Sequence, residues 1–401
     1  MISNIAFLSL FLFIYSLMSG RMEKTLVSGA LLFIAVGWSV GPMGLDVFSF
    51  AIDNEGLRLL AELTLAVVLF TDAAHSRLNI LKKSHTLPER LLLLGLPFTF
   101  LLGWGVALLL FPDFTLIEAA ILATILAPTD AALGKAVVSS EDVPAPLAEA
   151  LNVESGLNDG ICVPLLAVLL SFGMTMDGEP MVNVWLTILQ KVGIGLLVGG
   201  IVAYLGEKWV LFCTKRKWTH SHTSSIAVPS LAFGSFTLAE ACGGSGFIAC
   251  FVGGLIFGAL YKEEKHHHFL KSEAAGDALS LVTWVIFGAV IVGQCVGNLT
   301  WSIALYAVLS LTLIRMIPVV LSLTGSGLPF REKVFIGWFG PRGLASIVFI
   351  MMVLHADLEK APKMASIVMT TIILSILFHG ISANPLVKRL KRSPRSPSVE
   401  L

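Results

Sequence analysis

The run Asn152-Val153-Glu154-Ser155-Gly156-Leu157-Asn158-Asp159-Gly160 concentrates two carboxylates, two amides and a hydroxyl in an otherwise apolar stretch. At helical spacing Ser155 and Asp159 are i,i+4 neighbours, as are Glu154 and Asn158, and the two pairs sit about 100° apart. One face offers a carboxylate and a hydroxyl to a cation, and the adjacent face offers a second carboxylate to a structural partner. Oxygen-only ligation suits a hard monovalent cation such as Na⁺, Li⁺ or K⁺. A carboxylate that holds either such an ion or a proton, but not both, is the minimum machinery for exchanging one for the other. Another acid, Asp130 in Ala127-Pro128-Thr129-Asp130, can join Asp159 if the two segments pack, and any titration would then belong to the pair. Gly156 and Gly160 leave room for such a crossing backbone.

The elements that must hold these groups are membrane helices. Of 401 residues, 56% are hydrophobic and 13% charged, against about 25% charged in a soluble domain; mean hydropathy is +0.85. Lys+Arg 27 balance Asp+Glu 27, so the basic footprint of a nucleic-acid binder is absent. Five cysteines without metal-ligand spacing argue against a zinc site or disulfide framework. A hydrocarbon core about 30 Å thick takes roughly 20 apolar residues per helix. Thirteen spans fit, at about 2–19, 25–45, 55–74, 90–112, 115–137, 149–172, 184–206, 223–241, 244–261, 276–297, 299–323, 333–355 and 364–386. The first lacks a basic leader and cleavage site and reads as a true span. Of the basic residues, only Arg58, Lys360 and Lys363 fall on one side of this arrangement. Lys191, Arg315 and Arg342 lie within or at the edge of spans, and all the others fall on the opposite side. The positive-inside rule then places the N-terminus outside and the C-terminus, with a short basic tail over 387–401, in the cytoplasm.

The expected fold is an all-α polytopic membrane protein of about 13 transmembrane helices. Two inverted six-helix repeats would be joined by span 7. Breaks fall in the same slot of each repeat: Pro128 in span 5, and Gly340-Pro341-Arg342-Gly343 in span 12. A mid-span Pro frees a carbonyl, which in lipid must be re-satisfied or hold an ion. Charges at membrane depth are functional candidates: Glu62, Asp130, Glu154, Asp159, Glu240, Arg315 and Arg342. Snorkelling from span ends accounts for Asp72, Glu118 and Lys191, a helix–helix hydrogen bond for Glu240, and packing for His379. The His266-His267-His268 run reads as a solvated cytoplasmic loop.

Together these residues resemble the monovalent cation:proton antiporter family, and within it the NhaP-type Na⁺/H⁺ antiporters related to eukaryotic sodium/proton exchangers. The likeness runs through Ala127-Pro128-Thr129-Asp130, Glu154 to Asp159, Gly340 to Gly343, Glu62, Arg315, and Ala239-Glu240 with Gly243 to Phe247. It implies that Asp159 binds the transported Na⁺ or proton. Asp130, the main-chain carbonyl of Thr129 and Ser155 would complete the coordination, with Glu62 nearby or acting through water. Asn158 would hold broken span 5, Glu154 would pair with Arg315, and Arg342 would neutralise the helix ends at the span 12 break. The resemblance also implies a homodimer with a mobile core of spans 4–6 and 11–13 (about 90–172 and 299–386) moving like an elevator. The setting would be a prokaryotic plasma (inner) membrane, with no cofactor. Pro341 departs from the family, which often has an apolar residue such as Leu there.

The charges also bear on stoichiometry. Asn158 cannot titrate, and Arg315, unlike a lysine, keeps its charge. One exchangeable proton at Asp159 gives electroneutral 1:1 exchange, with Asp130 the only rival for a second. A K⁺/H⁺ antiporter of the same fold and a transport-inactive sensor are the alternatives; an intramembrane aspartyl enzyme lacks a nucleophile with its base.

Overall fold

The computed structural model describes residues 9–17, 29–45, 55–75, 86–130, 133, 135–138, 140, 142–174, 181–218, 226–260, 273–356 and 358–391. The His266–His268 run and most of the basic tail lie outside the described residues. Among these residues the chain is helical, with no strand. The helices are α1 (9–17), α2 (Gly29–Val40), α3 (Glu55–His75) and α4, in which Thr86–Arg90, a π-helical turn Leu91–Gly95 and Leu96–Leu110 run on from one another. Then come α5 (Leu116–Ile125), the short α6 (Lys135–Val138), α7 (Ala145–Met174), α8 (Met181–Lys215), α9 (Ala227–Ala241) and α10 (Gly246–Leu260). The rest are α11 (Glu273–Ile286, π-helical Phe287–Val292 and Gly293–Cys295), α12 (Trp301–Leu311), α13 (Leu313–Ser322), α14 (Phe330–Trp338), α15 (Leu344–His355) and α16 (Ala361–Lys391). Five uninterrupted stretches among the described residues are long and apolar enough to cross a bilayer: Leu87–Leu110, Ala145–Gly173, Trp185–Lys215, Trp301–Ser322 and Ala361–Leu390.

Local chemistry explains the irregular points. Pro97 lacks the N–H that would bond the carbonyl four residues back, and the preceding turn widens into the π form. Glu118, which hydropathy alone assigns to a snorkelling role, is buried instead. Thr115 and Glu118 form a capping box at the start of α5, with the Glu118 carboxylate accepting from Thr115 N at 2.9 Å and Oγ1 at 3.0 Å. Close helix crossings rest on glycine. A Cβ on Gly254 would overlap the Phe70 carbonyl of α3, and one on Gly288 would overlap the Ile34 carbonyl of α2.

Packing sorts the helices into two groups. One gathers α2, α3 and α8–α11; the other gathers α4–α7 and α12–α16, with α3 and α7 making bridging contacts. A second, smaller apolar cluster draws only on the latter group, joining Leu91, Val137, Leu147, Val319, Phe335 and Val387.

At one end of this second group, Lys363 donates to both oxygens of Asp113 at 2.7 and 2.9 Å and lies over the Phe111 and Phe114 rings at 5.0 and 5.3 Å. The contact ties the loop before α5 to the start of α16. The Lys363 ammonium holds the Asp113 carboxyl below its usual range, so the pair stabilises the fold above the ordinary Asp range and loses that contribution as pH falls through the lowered value. Lys363→Met should cost about 0.2–1 kcal/mol near neutral pH, as half-exposed pairs do. The deficit should shrink towards acid pH in thermal melts of purified protein; a pH-independent deficit would assign the effect to the rings instead.

Candidate functional site

The two broken helices cross at their unwound segments. α5 stops at Ile125 and the chain runs without helix through Asp130; α14 stops at Trp338 and helix resumes at Leu344. The segments touch directly, Asp130 N donating to Pro341 O at 2.8 Å. In a bilayer each freed backbone group needs a partner, and here side chains supply them across the crossing. Arg342, fully buried, donates through Nη1 to Ala127 O and Pro128 O at 2.5 and 2.7 Å. The guanidinium therefore sits at the C-terminus of α5, where the helix dipole is negative. Arg342, expected to serve the helix ends at the span 12 break, reaches from that break to the carbonyls of the other unwound segment.

Asp130 does the reverse. Its Oδ2 accepts from Leu344 N at 2.9 Å, at the positive N-terminus of α15, and its Oδ1 accepts from Leu133 N at 3.4 Å. A Cβ on Gly343 would collide with this carboxylate, which explains the glycine. Ser346 Oγ donates to Ile125 O at 2.7 Å.

α7 passes beside the crossing with the polar run facing inward. Glu154, Ser155, Asn158 and Asp159 are all buried. Asn158 Nδ2 donates to Thr129 Oγ1 at 2.7 Å, and the Thr129 and Ser155 hydroxyls are 3.0 Å apart. The broken segment is pegged to α7 in this way. Arg315 donates to both oxygens of Glu154, at 2.5 and 2.7 Å, with both side chains 1% exposed. Its guanidinium fits because residue 340 is glycine; a Cβ there would overlap Arg315 Nε. Among the carboxylates of this cluster, Asp159 has a buried oxygen, Oδ1, with no hydrogen-bond partner, as does the amide Oδ1 of Asn158. The carboxylates whose fields reach it are Asp130 and Asp72. A narrow cavity lined by Asp130, Ser155, Pro341, Val137, Leu151 and Phe339 opens beside the cluster.

Asp130, Thr129, Ser155, Asn158, Asp159, Glu154, Arg315 and Arg342 thus converge, and Glu62 does not. Glu62 is held by Arg58 at 2.6 Å one turn back on α3, ten residues and about 15 Å along that helix from Asp72. Asp72, read in the sequence as a span-end group, is the α3 carboxylate whose field reaches Asp159. The signal available was its place in the apolar Val67-Val68-Leu69-Phe70-Thr71-Asp72 run. Glu240 accepts from Gly246 N at 2.8 Å and serves the α9–α10 turn.

A family profile described as sodium/hydrogen exchanger, transmembrane, matches residues 7–389. The chain belongs to this family. Among sodium/hydrogen exchanger relatives, the K⁺/H⁺ antiporter NhaP of Alkalimonas amylolytica is 24% identical over 380 residues, covering 94% of this chain and 64% of that protein. The chain therefore spans less than two thirds of that relative's length. The Na⁺/H⁺ antiporter ApNhaP of Aphanothece halophytica is 24% identical over 373 residues, covering 90% and 69%. The Na⁺/H⁺ antiporter NhaH of Halobacillus dabanensis is 27% identical over 330 residues, covering 76% and 78%. The sodium proton antiporter MjNhaP1 from Methanocaldococcus jannaschii, solved at pH 8, has the same fold, with a TM-score of 0.78 at 22% identity over 98% of this chain and 99% of that one.

Removing one partner of the Glu154–Arg315 pair leaves a buried charge uncompensated. Arg315→Ala should therefore destabilise by about 3–5 kcal/mol and lower the yield of monodisperse protein in detergent. Glu154→Leu combined with Arg315→Met should recover much of that loss; a single variant of wild-type stability would show that the pair contributes nothing to folding.

Proposed function

We propose that the protein is a secondary active antiporter exchanging Na⁺ or Li⁺ for H⁺ at one carboxylate centre. The observation that carries this reading is Asp159, a buried carboxylate with a vacant acceptor oxygen beside the Ser155–Thr129 hydroxyls and Asp130. Asp159, Ser155, Asp130 and a Thr129 carbonyl would ligate the cation. A proton on Asp159 would occupy the same centre and exclude the ion. Asn158 would keep the broken segment in register, and Glu154, Arg315 and Arg342 would serve as fixed charges.

Exchange would be electroneutral, 1:1. Asn158 carries no titratable proton, and both Asp130 oxygens already accept main-chain N–H groups at helix starts, which leaves Asp159 as the exchangeable site. The K⁺/H⁺ reading stands beside this one because relatives of both kinds match the chain and hydroxyl and carboxylate oxygens suit either ion.

The same proposal covers the architecture: thirteen spans, inverted repeats of spans 1–6 and 8–13, and a homodimer in a prokaryotic inner membrane with the N-terminus outside. The apolar cluster confined to spans 4–6 and 11–13 supports a core that moves as one body past the remaining helices. Alternating access would then carry a fixed site between the two sides.

Cation-driven proton flux in proteoliposomes tests this with Na⁺, Li⁺ and K⁺ in turn. Wild-type flux should depend on Asp159, fall to background in Asp159→Asn, and be unchanged when an ionophore clamps the membrane potential. Acceleration by an imposed potential would rule out 1:1 exchange, and no flux with any cation from well-folded protein would favour the sensor.

A further inference from the structure

His379 does more than fill space. It is 4% exposed on α16, flanked by the Trp338 and Phe339 rings at 5.4 and 6.3 Å. Nε2 lies 2.8 Å from Trp338 O, the last carbonyl of α14 before the second break. A carbonyl only accepts, so Nε2 carries the proton. Nδ1 faces two groups of Ser375, one turn back: the hydroxyl at 3.2 Å and the main-chain carbonyl at 2.8 Å. The hydroxyl can donate to a bare Nδ1, whereas the carbonyl can only receive a proton from it. The same hydroxyl accepts from Arg342 N at 2.8 Å. With a neutral ring, a continuous chain runs from Arg342 N–H through Ser375 Oγ–H and the imidazole to Trp338 O, spanning the break from one side to the other.

We propose that His379 is a proton-responsive positioning residue for the second helix break: its neutral ring accepts the Ser375 hydroxyl and completes the chain across the break, and protonation at Nδ1 removes that one link while Arg342 N–Ser375 Oγ and Nε2–Trp338 O stay in place. The added proton goes onto Nδ1, which then donates to Ser375 O, and the Ser375 hydroxyl loses its acceptor. Both states find partners for the ring, as a switch requires. Titratable groups on the surrounding elements include Tyr306 (α12), Arg315 (α13), Arg331, Glu332 and Lys333 (α14), Arg342 (the break), His355 (α15), Glu118 (α5), and Glu273, Asp277 and Cys295 (α11). Those whose charge reaches the imidazole are Arg342 and Arg315. The imidazolium therefore appears beside two cations, one of which caps α5 at the ion site. Acidification should thus loosen the break and act on the crossing through Arg342.

This step rests on the antiporter reading only in its transport readout, so the first measurement is made on the break itself. Amide exchange of residues 338–344 in purified full-length protein, corrected for the intrinsic rate, should speed up about fivefold between pH 8 and pH 5.5, the weight of one neutral hydrogen bond. His379→Gln, which offers a fixed neutral donor near the Nε2 position, should abolish that pH response, and Ser375→Ala should give fast exchange at both pH values. In proteoliposomes the acid limb of the flux profile should shift in His379→Gln. A wild-type segment whose protection ignores pH, or the same pH response in His379→Gln, would overturn the proposal. Absent flux with the exchange pattern intact would count against the antiporter reading alone.

Discussion

The crossing of two broken helices in a medium without water is the constraint on which the remainder depends. Each break exposes carbonyls at one helix end and amides at the other, and each orphaned group would cost several kcal/mol in hydrocarbon. The solution is reciprocal. Arg342 leaves the second break to cap α5, and Asp130 leaves the first to cap α15. Neither segment can be completed without the other, so the crossing forms as a unit or not at all. A forked guanidinium suits this task because it reaches two successive carbonyls at once, which a single ammonium point charge does less well. Glycine at 340 and 343 is the steric condition, since either Cβ would enter space that Arg315 or Asp130 uses.

The crossing is then pinned from both flanks. On the α7 side Asn158 and Ser155 hold Thr129; on the α16 side Ser375 and His379 hold Arg342 N and Trp338 O. Lys363 and Asp113 close the same group of helices at one end. These contacts join segments far apart in the chain and make α4–α7 with α12–α16 one polar-stitched body. The companion group is instead packed through glycine contacts such as those of Gly253, Gly254 and Gly258 of α10 against Phe70 and Ala74 of α3.

The features legible in the sequence are those written locally. Pro128 and the Gly340–Gly343 run mark where helices must stop, and the Glu154–Asp159 run marks a polar face that lipid cannot accept. Hydropathy reports depth within a span, but not which side of the helix meets a neighbour. Glu62 and Asp72 share α3, and depth favours Glu62, yet a local Arg58 satisfies it and it is the field of Asp72 that reaches Asp159. Glu118 sat at a span edge where a snorkelling charge was expected, and only the fold reveals its capping box. The long-range partners of Arg342 and His379, which are Ala127, Pro128 and Trp338, are not legible in the sequence, because spacing holds no information about contacts so far apart in the chain.

A formal count of the buried charge explains why one residue is left to exchange. Arg315 is answered by Glu154, and the second buried cation, Arg342, is offset by Asp130, each also engaged with helix-end dipoles. Asp159 is the remaining buried carboxylate on α7, and its Oδ1 has no hydrogen-bond partner. A buried negative charge without a partner is too costly to persist, so the resting centre must take up something positive from solution. A proton and a monovalent cation meet that demand equally in charge and cannot meet it together. Under the proposed 1:1 exchange, Asp159 would be loaded on either passage, and a carrier whose only mobile charge is cancelled in both loaded forms would move without opposing the membrane potential.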